Sequence, residues 1–156
     1  MKIESKPYGE IEVDSDKVVT LRGGLFGFEG REKFVIIGKD EERPFEWLQS
    51  VDQSDLAFII VQPQFVRPDY RLSLLPEDYR DIEAESSEDI ITYAIVVVPE
   101  NPDNMTINLR GPVVINQQSL IGKQVINQVD EYTVRHRVME EIEKHDHEEV
   151  AAEGGK

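Results

Sequence analysis

Apolar and polar residues alternate with a period of two along most of this chain. Tyr8-Gly9-Glu10-Ile11-Glu12-Val13 alternates, Lys17 to Leu21 is rich in β-branched residues, and Lys33-Phe34-Val35-Ile36-Ile37 ends at Gly38. Each pattern predicts a strand with one face buried. Two further runs, Leu56 to Val61 and Ile90 to Val98, are apolar almost throughout. They are bounded by Asp55, Pro63, Asp89 and Pro99 and are too short to span a membrane, so they predict the central strands of the core, buried on both faces. More strands are expected around Leu109 and Ile115, at Lys123 to Ile126 and at Tyr132 to Arg135.

Helical signals are few. Pro76-Glu77-Asp78-Tyr79-Arg80-Asp81-Ile82 carries proline and acids in its first turn and predicts one short helix, and Phe45 to Ser50 reads as a further turn. With many short strands and little helix to cover a face, the sheet has to curl on itself. The expected fold is therefore mainly β: a single-domain, partly open β-barrel-like fold of antiparallel strands with one or two short helices. The domain is expected to cover 1–138, followed by an acidic C-terminal extension, 139–156, whose helix-forming residues include too few apolar positions to bury a face. A frayed helix or disordered tail is the expectation there.

Two motifs interrupt the strand pattern. Gly23-Gly24-Leu25-Phe26-Gly27-Phe28-Glu29 lacks the lysine of a phosphate-binding loop; its glycines suit a tight turn with positive φ that aims Leu25, Phe26 and Phe28 separately. Thr106-Ile107-Asn108-Leu109-Arg110-Gly111-Pro112-Val113-Val114-Ile115-Asn116 places two asparagines in strand-like segments, where a buried amide must find hydrogen-bond partners.

The chain has 156 residues, no cysteine, and 32 acidic against 17 basic side chains, a net charge of -15. That excess repels phosphate backbones and anionic lipid, which argues against nucleic acid or membrane as a direct ligand and makes a basic protein the natural partner. The absence of an apolar leader or span suggests a cytoplasmic location. Without cysteine there is no thiolate nucleophile or thiolate metal site. The histidines, His136, His145 and His147, cluster near the end of the chain, and no acid sits in an apolar run where its pKa would be tuned for catalysis. The expectation is no enzyme, no cofactor and no metal; His145 and His147 beside their acids read as solvated charge and not as ligands.

Taken in order, several fragments resemble the flagellar assembly factor FliW family. They are Val19-Thr20-Leu21 leading into Gly24-Leu25-Phe26-Gly27-Phe28-Glu29; Phe34; Pro44-Phe45 with Leu48-Gln49-Ser50; Leu56-Ala57-Phe58; Tyr93 to Val98; Thr106 to Leu109; Pro112 to Asn116; and Gly122 to Val125. Leu21 stands where members often carry phenylalanine, and the acidic extension is longer than in many. The resemblance implies a partly open barrel and a regulator that binds flagellin and antagonises the basic, dimeric RNA-binding translational repressor CsrA by a partner switch, non-competitively with RNA. A dedicated flagellin chaperone without CsrA binding is the alternative. Candidate partner-binding residues are Phe26, Phe28, Glu29, Glu46, Asn108 and Asn116, with Glu10 and Glu12 adding to the acidic potential.

Overall fold

A computed structural model describes residues 1–145 of the chain. Its strands, in chain order, are β1 (Lys2–Ser5), β2 (Gly9–Glu12), β3 (Val19–Leu21), β4 (Lys33–Ile37), β5 (Glu46–Ser50), β6 (Ala57–Val61), β7 (Ile90–Val97), β8 (Thr106–Ile107), β9 (Val113–Asn116), β10 (Ile121–Gln124) and β11 (His136–Arg137), with α1 at Pro76–Asp81. The order β7-β6-β5-β4-β3-β10-β9 returns to β7 and closes a barrel. All of these pairings are antiparallel except β3 with β10.

Closure depends on β7, the longest strand. Its first half, Ile90 to Tyr93, pairs with β9, whereas Val96 and Val97 pair with β8. The seam between β9 and β8 therefore opens beyond Tyr93, and β8 with β11 extends the sheet beyond the closed barrel.

Period-two alternation sorts the residues into two main cores. Leu21, Phe34, Leu48, Ile60, Tyr93, Val113 and Ile115 fill the barrel, with Leu25 packed on them. On the outer face, Val61, Ala94, Val96, Ile107 and Leu109 pack against Val66, Tyr70, Tyr132 and Val138. The β1–β2 hairpin covers Val35 with Ile3 and Val13. The apolar runs at 57–61 and 90–97 thus contact material on both faces, because the second core lies over the outside of the barrel.

The structure changes two of the expected elements. Phe45 to Ser50 is not a turn; residues 46–50 form β5, paired along its length with β4 and β6. Tyr132 to Arg135 forms no strand, because Tyr132 turns inward to the second core and the Thr133 carbonyl accepts the amides of Leu109 and Arg110 at 3.2 Å each. The strand in this region is β11, immediately after it. Residues 138–145 are helical. The remainder of the acidic extension, including His147, lies outside the described residues.

Candidate functional site

The open seam of the barrel forms an apolar groove. Ile95 and Val97 carry the inward-facing row of β7 out beyond Tyr93, and with Leu25, Phe26, Phe58 and Val134 they line a cavity of about 670 Å³. Its polar lining is neutral apart from Arg135, being Asn104, Thr106, Asn108 and Gln124. Phe26 is 52% exposed and Val97 61%, so large apolar side chains stand in solvent at the rim. Such a patch on an otherwise acidic surface is the kind that marks a protein interface.

The glycine-rich turn builds one wall. Gly23, Gly24 and Gly27 have φ of 79°, 70° and 90°, which only glycine adopts without strain. Hydrogen bonds from Gly24 N to Leu21 O at 2.9 Å and from Phe28 N to Leu25 O at 2.7 Å fold the turn back on itself. Leu25 then drops into the core, while Phe28, 42% exposed, packs edge-on against Phe58 with ring centroids 5.3 Å apart. Glu29 lies outside this contact; its carboxylate accepts the Gly27 amide at 3.1 Å, and hydrogen bonds from its own amide and from Gly27 hold its pKa below the usual value.

Gln124 joins this turn to the opposite wall. Its side chain is buried, accepts the Phe26 amide at 2.8 Å and donates to the Gly111 carbonyl at 2.8 Å. Asn108 fixes the Gly-Pro break from the other side, its Oδ1 accepting the amides of Gly111 at 2.8 Å and Arg110 at 3.2 Å. Gln124→Ala removes both amide bonds and is expected to cost about 1 to 2 kcal/mol of stability while loosening Phe26. Denaturant unfolding, with the exchange rate of the Phe26 amide as the local readout, checks this; an unchanged exchange rate would refute the tether.

Of the expected site residues, Phe26 and Asn108 line the groove, Phe28 packs against its Phe58 wall, and Glu29 stays within the glycine-rich turn without lining it. The other two lie elsewhere. Asn116 is buried and donates to the carbonyls of Ile82 and Glu83 at 3.1 Å each, anchoring the chain after α1. Glu46 pairs with Ile60 and does not line the groove; burial and then the charge of Glu46 push the Tyr93 hydroxyl up to about 12. Gln124, Val97, Val134 and Arg135 were missed in the sequence. Val97 lies in a run that is apolar on both faces and so carries no signal of its own, and the contacts of Gln124 span 13 and 98 residues of chain and have no local signature.

Among the described residues no group of three acidic or histidine side chains is placed to hold a metal ion. No described helix is long and apolar enough to cross a membrane. His145 lies 3.3 Å from Asp69, and His136 accepts the Thr133 amide through Nε2 at 2.8 Å. The other ring nitrogen of His136 therefore carries the proton and donates to Glu141 at 2.9 Å.

Comparison with known proteins agrees with this architecture. The family model described as FliW protein matches residues 2–138. The flagellar assembly factor FliW of Leptospira biflexa is 38% identical over 149 residues, which is 95% of this chain and 97% of that protein. That of Thermoanaerobacter pseudethanolicus is 36% identical over 143 residues, covering 91% and 95%. A crystal structure of the flagellar assembly factor FliW superposes with a TM-score of 0.82 at 33% identity, covering 88% of this chain and 96% of that one.

Proposed function

The chain belongs to the FliW family, and from that premise we propose that it is a cytoplasmic flagellar assembly factor that binds flagellin and antagonises CsrA by switching between these two partners. The observation that carries the proposal is the exposed apolar groove at the barrel seam, with Phe26 and Val97 at its rim. Aromatic anchors over a desolvated pocket supply most of the binding energy in protein interfaces, so the groove suits an apolar segment of flagellin. The charge of -15 suits a basic second partner. An acidic body docked on the basic CsrA dimer repels RNA phosphates without entering the RNA groove, which gives antagonism that is non-competitive with RNA.

The two partners exclude one another, since a sensor that held both could not report free flagellin. By linkage each weakens the other by the same factor, and a usable switch needs roughly 1 to 3 kcal/mol of unfavourable coupling, about 5- to 150-fold. Flagellin titrated into a complex with labelled CsrA should release the label, followed by size-exclusion chromatography and equilibrium binding. A stable ternary complex with unchanged CsrA affinity refutes the switch; a chain that binds flagellin but never CsrA is a dedicated chaperone.

A further inference from the structure

A second apolar groove lies on the other side of the same strand end. Trp47 and Ile59 from the outer face of β5 and β6 line it with Phe45, just before β5, and with Val98 and Met105, enclosing about 330 Å³, and Glu42 closes one edge. Successive residues of an extended chain point to opposite faces. Val97 accordingly lines the seam groove and Val98, 44% exposed, the outer one.

The two grooves differ in charge. No carboxylate lines the seam groove. The outer groove adjoins the exposed turn Asp40–Glu42, acidic at every position, and the segment joining Val98 to Met105 adds the exposed Glu100 and Asp103. Bases on the first of these segments are engaged locally, Arg43 with Asp40 at 3.3 Å and Lys39 over the Tyr8 ring at 4.6 Å. Tyr8 also donates its hydroxyl to Glu42, which fixes the edge of the groove.

We propose that this outer groove is the docking site for a basic protein segment that inserts an aliphatic or aromatic side chain between Trp47 and Val98. The apolar floor supplies the desolvated pocket, and the carboxylates of residues 40–42, 100 and 103 supply the complementary charge. The assignment rests on the reading that the chain has a basic protein partner. It separates the partners by face: the basic one meets Val98 and the apolar flagellin segment meets Val97.

The probe is the CsrA dimer, titrated against the full chain and single variants whose melting temperatures match the wild type. Val98→Lys and Val98→Ser should weaken CsrA binding, the lysine by at least about thirtyfold, the scale of a central interface residue. Val97→Lys, one residue away on the opposite face, should leave CsrA affinity within about twofold of wild type, as a position outside the contact does. Glu41→Lys, which touches no apolar contact, should lower the association rate and flatten its salt dependence. Equal binding by wild type and Val98→Lys, or equal losses at both valines, overturns the assignment and leaves the partner reading intact. A wild-type chain that binds no CsrA overturns both.

Discussion

Arg67→Leu is expected to destabilise the protein by about 3 kcal/mol, the largest loss from any single charge, because it strips a buried cation from the carboxylates arranged around it. The Arg67 side chain is 11% exposed. It donates to Asp69 at 3.3 Å and Glu131 at 3.4 Å, stands 3.9 Å from Glu141 and lies over the Tyr132 ring at 4.9 Å. Asp69 and Glu131 are largely solvated, and their pairs contribute little. Glu141 decides the magnitude: its side chain is mostly buried, one oxygen is held by His136 and the other has no hydrogen bond, so Arg67 is the charge that balances it. Removing Arg67 leaves that carboxylate uncompensated beneath helix 138–145 and also removes the cation–π contact.

The pH dependence follows. Burial alone would push Asp69 up, but the charge and hydrogen bond of Arg67 hold it below the usual carboxylate value. The hydrogen bond from Arg71, followed by the charges of Arg67 and Arg71, lowers Glu131 against a smaller opposing effect of burial. A carboxylate depressed in the folded state stabilises above its unfolded pKa, about 4, and that stabilisation is lost as pH falls through the folded value. The gap in melting temperature between wild type and Arg67→Leu should be about 6 to 12 °C at neutral pH, from the usual 2 to 4 °C per kcal/mol, and should narrow only slightly as pH falls below about 4, because the solvated Asp69 and Glu131 pairs carry a small share of it. A gap that stays constant in acid would show that these two ion pairs add nothing and that Arg67 acts through its buried contacts alone.

Much of this fold was legible because period two is a local signal. Ile11 and Phe34 announce which face of their strands is buried, the apolar runs holding Ile60 and Tyr93 announce central strands, and β2, β4, β6, β7 and α1 lie where the pattern put them. The failures occur where tertiary pairing overrides local chemistry. Phe45 to Ser50 follows Pro44 and ends in glutamine and serine, which reads as a turn, yet β4 and β6 satisfy its backbone on both sides. Gln49 even becomes fully buried, its amide donating to the Ser50 carbonyl at 3.0 Å and its carbonyl accepting the Lys6 amide at 2.8 Å. Closure of β7 on β9 and its divergence to β8 depend on contacts between distant segments, so the seam groove had no sequence signature beyond the exposed aromatics of the glycine turn.

That turn carries the other large expected effect. Gly24→Ala should cost about 2 to 4 kcal/mol, whereas Gly23→Ala, one residue earlier and at a similar positive φ, should cost only about 1 kcal/mol. Both substitutions place a side chain in the left-handed region, at φ 70° and 79°. They differ in what the new methyl meets. At Gly23 nothing lies within 4 Å, but at Gly24 a Cβ would stand 2.6 Å from the Phe28 carbonyl oxygen and 2.8 Å from both Cα and O of Glu29. These are main-chain atoms held by the Phe28-to-Leu25 hydrogen bond, so relief requires the whole arch to shift, taking Phe28 off Phe58 and Phe26 off the groove rim. Leu25 is the arch's one side chain in the barrel core, and the strands themselves do not depend on the arch, since β3 and β4 pair below it. Gly24→Ala should therefore stay folded with a lowered melting temperature and lose flagellin binding by at least about thirtyfold, the effect of displacing a central aromatic anchor, while Gly23→Ala keeps binding nearly intact. Equal binding losses in the two variants would mean that φ strain and not the close approach of the backbone controls the turn. Full binding by a folded Gly24→Ala would place the flagellin contact away from Phe26 and Phe28 altogether.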